Sequence, residues 1–184
     1  MVHIPEYSLV IRPPQHIIDD VAALKKRLKE EIGWFGSANA QAHVTVFNFD
    51  ATPDELFLWK KNIHRFCEAI IPEKVTFDHF DTFPPRTFFI APNAVSMRYL
   101  NEIITRFARF IQEKPQAHAH MSVARSLKDG QLEQAKRLFG NKPIHFEFLC
   151  GGLTLRQFDN ETKQYAHIVE QFPFIGQPQP NLFS

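Results

Sequence analysis

The segment AHVTVFNF, residues 42–49, alternates in side-chain character as a half-buried β-strand does. Successive side chains of a strand point to opposite faces of its sheet. Strict alternation therefore places His43 and Thr45 on one face, and it extends that face to Phe47 and Phe49. The segment predicts a strand on which a histidine and a hydroxyl group lie side by side.

A second segment repeats this order of residue types. The segment AHMSVARS, residues 119–126, again reads alanine, histidine, an apolar residue, a hydroxyl residue and valine. Alternation places His120, Ser122 and Ala124 on one face of this strand. One H-x-T sequence arises by chance in a chain with nine histidines. Two such sequences in equivalent strands predict a shared site.

The segments around the two motifs also follow one order: strand, helix, motif strand, helix, strand. We predict one domain of 184 residues with a structural repeat over residues 1–84 and 85–175, and a loose tail over 176–184. The predicted class is α+β, with each half forming one of two pseudo-symmetric lobes. Each lobe is an antiparallel-rich sheet with outer helices, and both motif strands face a central groove.

Helical periodicity sets further expectations for the first half. Apolar residues recur at helical spacing over residues 16–32, and the basic cluster KKRLK, residues 25–29, falls on the polar side of that helix. We predict that this cluster is exposed to solvent. A second helix is predicted to begin after Thr52, because Glu55 three residues later completes a capping box.

Composition excludes several classes of protein. Hydrophobic residues make up 44% of the chain and 19 residues are phenylalanine, which is typical of a globular protein and not of a disordered one. The net charge of +1 does not favour coating of long nucleic acids, so any affinity for phosphate must be local. No apolar stretch approaches the roughly 20 residues that span a membrane, and none has the form of a signal peptide.

The two cysteines bear on the compartment. Cys67 and Cys150 are far apart in sequence and lack a C-x-x-C partner, which favours a reducing environment over a disulfide or zinc framework. We therefore predict a cytoplasmic location. The sequence predicts neither a membrane association nor a stable protein partner.

The two motifs fit one kind of chemistry. Opening a cyclic phosphodiester by in-line attack needs a base for the incoming water and an acid for the leaving oxygen. His43 and His120 supply both if one imidazole is neutral and the other protonated. The hydroxyl groups of Thr45 and Ser122 then donate hydrogen bonds to the non-bridging phosphate oxygens. This chemistry needs no metal and no other cofactor.

These motifs resemble those of the two-histidine (2H) phosphoesterases, which include the bacterial 2′-5′ RNA ligase-like cyclic phosphodiesterases. That family has two H-x-[T/S]-hydrophobic motifs on a bilobal α+β fold, and HVTV at His43 and HMSV at His120 match them. The resemblance implies metal-free hydrolysis of 2′,3′-cyclic phosphates on RNA ends or nucleotides. Relatives often have an arginine five positions after the second histidine, where it helps to hold the base; Arg125 stands there. The same position after the first histidine is often aromatic, but here it is Asn48.

Arg125 can be placed in two ways from the sequence. Strict alternation puts it on the face opposite His120, where it covers a helix, whereas a β-bulge at the end of the strand turns it towards the site. Three alternatives to the hydrolase also remain open. The groove holds an RNA end without cleaving it, or His118 and His120 bind a catalytic metal as an H-x-H pair, or the same chemistry runs in reverse as 2′-5′ RNA ligation. The near-symmetry of the motifs leaves the acid and the base unassigned.

Overall fold

The computed structural model describes residues 4–177, which form eight strands and four helices. The strands are β1 (Glu6–Ile11), β2 (Val44–Asp50), β3 (Glu73–Phe83), β4 (Thr87–Pro92), β5 (Met121–Ala124), β6 (Phe146–Cys150), β7 (Gly152–Asp159) and β8 (Gln164–Pro173). The helices are α1 (Gln15–Ile32), α2 (Pro53–Glu68), α3 (Ala94–Phe110) and α4 (Gln131–Phe139).

The strands form two four-stranded antiparallel sheets. The first sheet has the order β2-β1-β7-β8, and the second has the order β5-β4-β3-β6. Both motif strands, β2 and β5, therefore lie at the edge of a sheet, and each pairs with the strand that opens its half of the chain. This arrangement confirms the α+β class and the pseudo-symmetric pair of lobes.

The two sheets do not coincide with the two halves of the chain, contrary to the expectation that each half forms one lobe. β3 belongs to the first half but pairs with β4, and β7 and β8 belong to the second half but extend the sheet of β1. The connection between β3 and β4 is only residues 84–86, and so short a turn keeps two strands as antiparallel neighbours. Each half thus contributes strands to both sheets.

The chain crosses between the sheets at Gly151. β6 ends in the second sheet at Cys150, and β7 begins in the first sheet at Gly152. A Cβ atom on Gly152 would lie 2.5 Å from the carbonyl oxygen of Phe172 on β8. Because that approach is far below van der Waals contact, only glycine fits where β7 enters the first sheet.

Helices pack outside the sheets and connect them. α3 contacts β2 of the first sheet as well as β3 and β4 of the second, and α1 contacts α4 and β5. The capping box of α2 is as predicted, with the Thr52 hydroxyl accepting from the Glu55 amide and the Glu55 carboxylate accepting from the Thr52 amide at 2.8 Å. One cluster of buried apolar residues includes members of both sheets, among them Leu9, Val75 and Leu155.

The prediction for the basic cluster is wrong at one position. Lys26, Arg27 and Lys29 are exposed, but Lys25 is 3% exposed and lies on the buried side of α1 between Val21 and Leu28. Its ammonium group donates to the carbonyl oxygens of Ser37 and Ala40 at 3.0 and 2.7 Å. These two acceptors allow a lysine to occupy a helix position that periodicity assigns to the core.

Among residues 4–177, no helix has the length and apolar character needed to cross a bilayer. The predicted tail over residues 176–184 lies mostly outside the described residues. Its first two residues are hydrogen-bonded to the end of α2 and the segment after it. The Gly176 amide donates to the backbone carbonyl of Ile70, and the Gln177 amide donates to that of Glu68.

Candidate active site

The four motif residues lie in equivalent positions at the start of the two edge strands, with each histidine directly before its strand and each hydroxyl residue within it. His43 and Thr45 are half-buried, while Ala42, Val44 and Val46 between and beside them are buried. His120 and Ser122 show the same alternation. In both motifs the polar side chains thus share the accessible face of the strand.

Both imidazoles are held by the same hydrogen bond. His43 Nδ1 donates to the carbonyl oxygen of Gln41 at 2.7 Å, and His120 Nδ1 donates to that of His118 at 2.7 Å. A carbonyl oxygen only accepts, so Nδ1 carries the hydrogen in each ring. When the ring is neutral, Nε2 therefore holds a free lone pair that can take up a proton.

Each motif strand contains a bulge at the same position. β1 pairs Val10 with Thr45 and Leu9 with Phe47, which leaves Val46 as an extra residue on β2. β4 pairs Phe89 with Ser122 and Phe88 with Ala124, which leaves Val123 as an extra residue on β5. Both extra residues stand three positions after the motif histidine. The bulge shifts the alternation of every following residue to the other face.

The first consequence of the bulge corrects the predicted face of β2. Phe47 does not share the histidine face but is buried, with its ring 6.0 Å from that of Phe107. Phe49 stacks on Trp59 with ring centroids 3.9 Å apart. Asn48 takes their place in the cavity beside His43.

The second consequence concerns Arg125. β5 ends at Ala124, and Arg125 follows the bulge at the position equivalent to Asn48. Arg125 lines the same cavity as His43 and Thr45. Of the two placements that the sequence allowed, the inward one is therefore observed.

The two motif strands are linked by reciprocal hydrogen bonds. The Arg125 amide donates to the Ser37 hydroxyl at 3.0 Å, and Gly36 donates to the Arg125 carbonyl at 3.1 Å. At the equivalent position of β2, the Asn48 amide donates to the Gln116 side chain at 2.8 Å, and that side chain donates back to the Asn48 carbonyl at 3.0 Å. The loop before each motif thus binds the strand of the other motif.

A cavity of about 270 Å³ lies beside the first motif. It is lined by residues of β1, β2, the loop after α1, the segment just after β5 and the β7–β8 hairpin. Among them are His43, Thr45, Asn48, Arg125, Arg156 and Lys163. Its described lining includes three arginine or lysine side chains and no aspartate or glutamate. His120 and Ser122 are not among these lining residues. Of the second motif and the residues just after it, Arg125, three positions after Ser122, lines the cavity.

The charged surroundings of the two histidines differ. Burial lowers the pKa of His43 well below its usual range, and the charges of Arg156, Arg125 and Lys25 add to that effect. Burial also lowers the pKa of His120, with a smaller contribution from Arg125. His120 packs edge-on against the rings of Phe83 and Phe89 at 5.2 and 5.1 Å. Arg125 is the cation whose charge acts on both rings.

Several residues of the cavity were not predicted from the sequence, among them Ser8, Arg156 and Lys163. Asn48 on β2 pairs with Ser8 on β1, and Ser8 pairs with Arg156 on β7, so the three form one row across the sheet. The alternation of β7 marks Arg156 as opposite to the buried Leu155. It gives no sign that β7 lies next to β1, because the two strands are about 150 positions apart in the chain.

His118 does not complete a metal site. Its side chain is exposed, and its carbonyl oxygen serves as the acceptor for His120. Across residues 4–177 no three histidine, cysteine, aspartate or glutamate side chains lie close enough to hold a metal ion. The H-x-H pair therefore lacks a third protein ligand in the described part of the chain.

Comparison with known structures bears on the fold. TT0787 of Thermus thermophilus has a TM-score of 0.61 and 15% identity, with 94% of this chain and 99% of that chain covered. A solved phosphoesterase has a TM-score of 0.59 at 14% identity, covering 94% of this chain and 99% of its own. E. coli LigT complexed with NADP+ has a TM-score of 0.58 at 14% identity, with coverages of 94% and 99%.

The sequence itself establishes the family. A search of the curated proteins finds no match. The profile of the 2′-5′ RNA ligase superfamily matches residues 13–162, which is most of the 184-residue chain and includes both histidine motifs. This chain therefore belongs to the 2′-5′ RNA ligase superfamily.

Proposed function

We propose that this protein is a metal-independent phosphodiesterase that hydrolyses 2′,3′-cyclic phosphates of RNA ends or nucleotides. The observation that carries the proposal is the matched anchoring of the two imidazoles, each held through Nδ1 so that Nε2 is free. Family membership supports a phosphoesterase or ligase activity. E. coli LigT has been solved with phosphate and with 3′-AMP, which supports a nucleotide phosphate as the ligand class here.

The reaction divides the proton transfers between His43 and His120. One neutral imidazole accepts a proton from water through Nε2 as the water oxygen attacks phosphorus. The other imidazole, protonated, donates its Nε2 proton to the ribose oxygen as the bond between that oxygen and phosphorus breaks. The product is a 2′- or 3′-phosphomonoester with a free neighbouring hydroxyl. The proton count balances, and the two rings exchange protonation states.

The remaining motif residues act on the charge of the phosphate. Thr45 and Ser122 share the accessible faces of their histidines and donate hydrogen bonds to the two non-bridging oxygens. Arg125 follows the second motif and lines the cavity, where its charge favours an anion.

The same geometry permits 2′-5′ ligation when a ribose 5′-hydroxyl replaces water as the attacking group. The steps of ligation are the microscopic reverse of cleaving a 2′-5′ bond.

Substitution of the histidines tests the proposal. His43→Ala and His120→Ala should each lower turnover of a nucleoside 2′,3′-cyclic phosphate by at least about 100-fold, as loss of a general acid or base does. The measurement is release of the monoester by purified protein. His118→Ala is the matched control, because it keeps the backbone carbonyl that accepts from His120 and removes only the exposed imidazole.

Three results would contradict the proposal of a metal-independent hydrolase. Full activity in both His43→Ala and His120→Ala would remove the histidines from the mechanism. Binding of the cyclic nucleotide by the wild type with no monoester released would instead indicate an RNA-end binding module. Loss of activity in His118→Ala, together with loss on adding a chelator, would favour the metal-dependent alternative.

Cys67 and Cys150 are buried free thiols, which supports the further proposal of a reducing, cytoplasmic location.

A further inference from the structure

Within residues 4–177, Arg156 is a buried cation without a counter-ion. Its side chain is 3% exposed at the centre of the first sheet, and it lines the cavity beside His43. Its Nε and Nη2 atoms are buried and have no hydrogen-bond partner in this part of the chain. Burial lowers the pKa of Arg156 to about 10, so the guanidinium still carries its charge at neutral pH.

The neighbours of Arg156 do not supply the missing acceptor. The guanidinium carbon lies 5.9 Å from the centroid of the Tyr165 ring, which offers only a cation–π contact. The charges of Arg12 and Arg125, which act on Arg156, are also positive. A buried guanidinium with unpaired N–H groups is costly to the fold unless something pairs with it.

The cavity around Arg156 favours an anion. Arg125 and Lys163 add two more cations, and no carboxylate among the described residues lines the cavity to neutralise them. Arg156 is also the cation whose charge acts most strongly on His43. A guanidinium presents its N–H groups in a planar fork that matches two oxygens of a phosphate.

We infer that Arg156 binds a phosphate group of the substrate, through its unpaired Nε and Nη2 atoms. The inference rests on the proposed function and adds to it a residue that neither histidine motif contains. The phosphate is either the cyclic one under attack or the phosphodiester that precedes it in an RNA chain. Both present the same non-bridging oxygens to the guanidinium.

Phosphate binding can be measured apart from catalysis. Titration with inorganic phosphate should raise the Tm of the wild type, and the rise should be lost in Arg156→Met and reduced in Arg156→Lys. Arg12→Met is the matched control, because Arg12 also has a buried, unpaired Nε but does not line the cavity. It should keep the phosphate-induced rise. Arg156→Met should fold with an unchanged or higher Tm, since it removes an unpaired charge, and Arg156→Gln provides a second neutral variant.

Kinetics on two substrates then identify the phosphate. We expect kcat/KM of Arg156→Met to fall about 10- to 100-fold, the size of one charged hydrogen-bond interaction. A fall for both a nucleoside 2′,3′-cyclic phosphate and a dinucleotide ending in that group assigns Arg156 to the reacting phosphate. A fall for the dinucleotide alone assigns it to the preceding phosphodiester.

Retention of the phosphate-induced Tm rise and of both kcat/KM values in the neutral variants would overturn the inference. Failure of the proposed function is separable from this outcome. If the wild type hydrolyses neither substrate, the phosphate titration of the wild type, Arg156→Met and Arg156→Gln still decides whether Arg156 binds the anion.

Discussion

The two motif histidines have the same anchor but different environments. His43 lies near the cations Arg156, Arg125 and Lys25, whereas His120 packs against the adjacent rings of Phe83 and Phe89. A bound phosphate would offset the positive charges around His43 and make protonation of its ring easier. Substrate binding should therefore change the proton affinity of His43 more than that of His120.

Stability should depend on pH through His43. Its pKa in the folded protein is lowered, so the unfolded chain binds more protons as the pH falls below about 6.5. The free energy of unfolding should fall in that range, by up to about 1.4 kcal/mol per pH unit for each such histidine. His43→Asn keeps a donor near the position of Nδ1 but does not titrate. The free energy of unfolding, measured by urea unfolding between pH 7 and 5, should depend less steeply on pH in His43→Asn than in the wild type. An equally steep dependence in both proteins would show that His43 is not the titrating group.

At the scale of elements, α1 holds the loop that leads to His43. The ammonium group of Lys25 donates to the backbone carbonyls of Ser37 and Ala40 in this loop. The next carbonyl along the loop, that of Gln41, accepts from His43. Burial and the charge of Arg125 lower the pKa of Lys25 to about 7. The buried lysine therefore acts as a donor that orders the loop, and not as a surface charge.

Replacing Lys25 tests this role. Lys25→Met keeps the aliphatic stem but leaves two carbonyl oxygens without their donor, so stability should fall by about 1–3 kcal/mol. Turnover should fall as well, because the loop would position His43 less firmly. Lys26→Met, on the exposed side of the same helix, should change stability by no more than about 0.5 kcal/mol. Equal effects of the two substitutions, measured by urea unfolding, would refute the role of Lys25.

At the scale of the whole molecule, the reciprocal bonds between the loops and the edge strands join the two motifs. Ser37, which is 1% exposed, accepts from the Arg125 amide and donates to the Val123 carbonyl at 3.3 Å. Gln116 makes the equivalent pair of bonds to Asn48. These contacts also satisfy backbone groups at the exposed edges of both sheets.

Weakening these contacts should affect activity more than stability. Ser37→Ala and Gln116→Ala should each lower kcat about tenfold, because a small displacement of one motif misaligns the two proton transfers. The loss of stability should stay at about 1 kcal/mol. Gln134→Ala, on the exposed surface of α4, is the control and should leave both unchanged. A loss of kcat no larger than that of the control would show that the contacts do not position the motifs.

Sequence pattern predicted what depends on neighbouring residues along the chain. The shared face of the histidine and the hydroxyl residue in each motif, the capping box at Thr52 and the order of elements in each half are present in the structure. Beyond the bulges the predicted alternation is wrong, and Ala124 is buried and does not share the face of His120. Local pattern was wrong for Lys25 and for Phe47. The acceptors of Lys25 come from a loop, and the bulge at Val46 is visible only in the pairing of β2 with β1.

The sequence by itself determined the class of fold, the two histidine motifs and the faces on which their four side chains lie, because these follow from the period of a strand and from residue types two positions apart. Only the tertiary structure decided which strands share a sheet, the inward turn of Arg125 and the place of Arg156 beside His43. Those features depend on pairing between β1 and β7 and on the register of the edge strands. Such contacts join residues distant in the chain, and no local period encodes them.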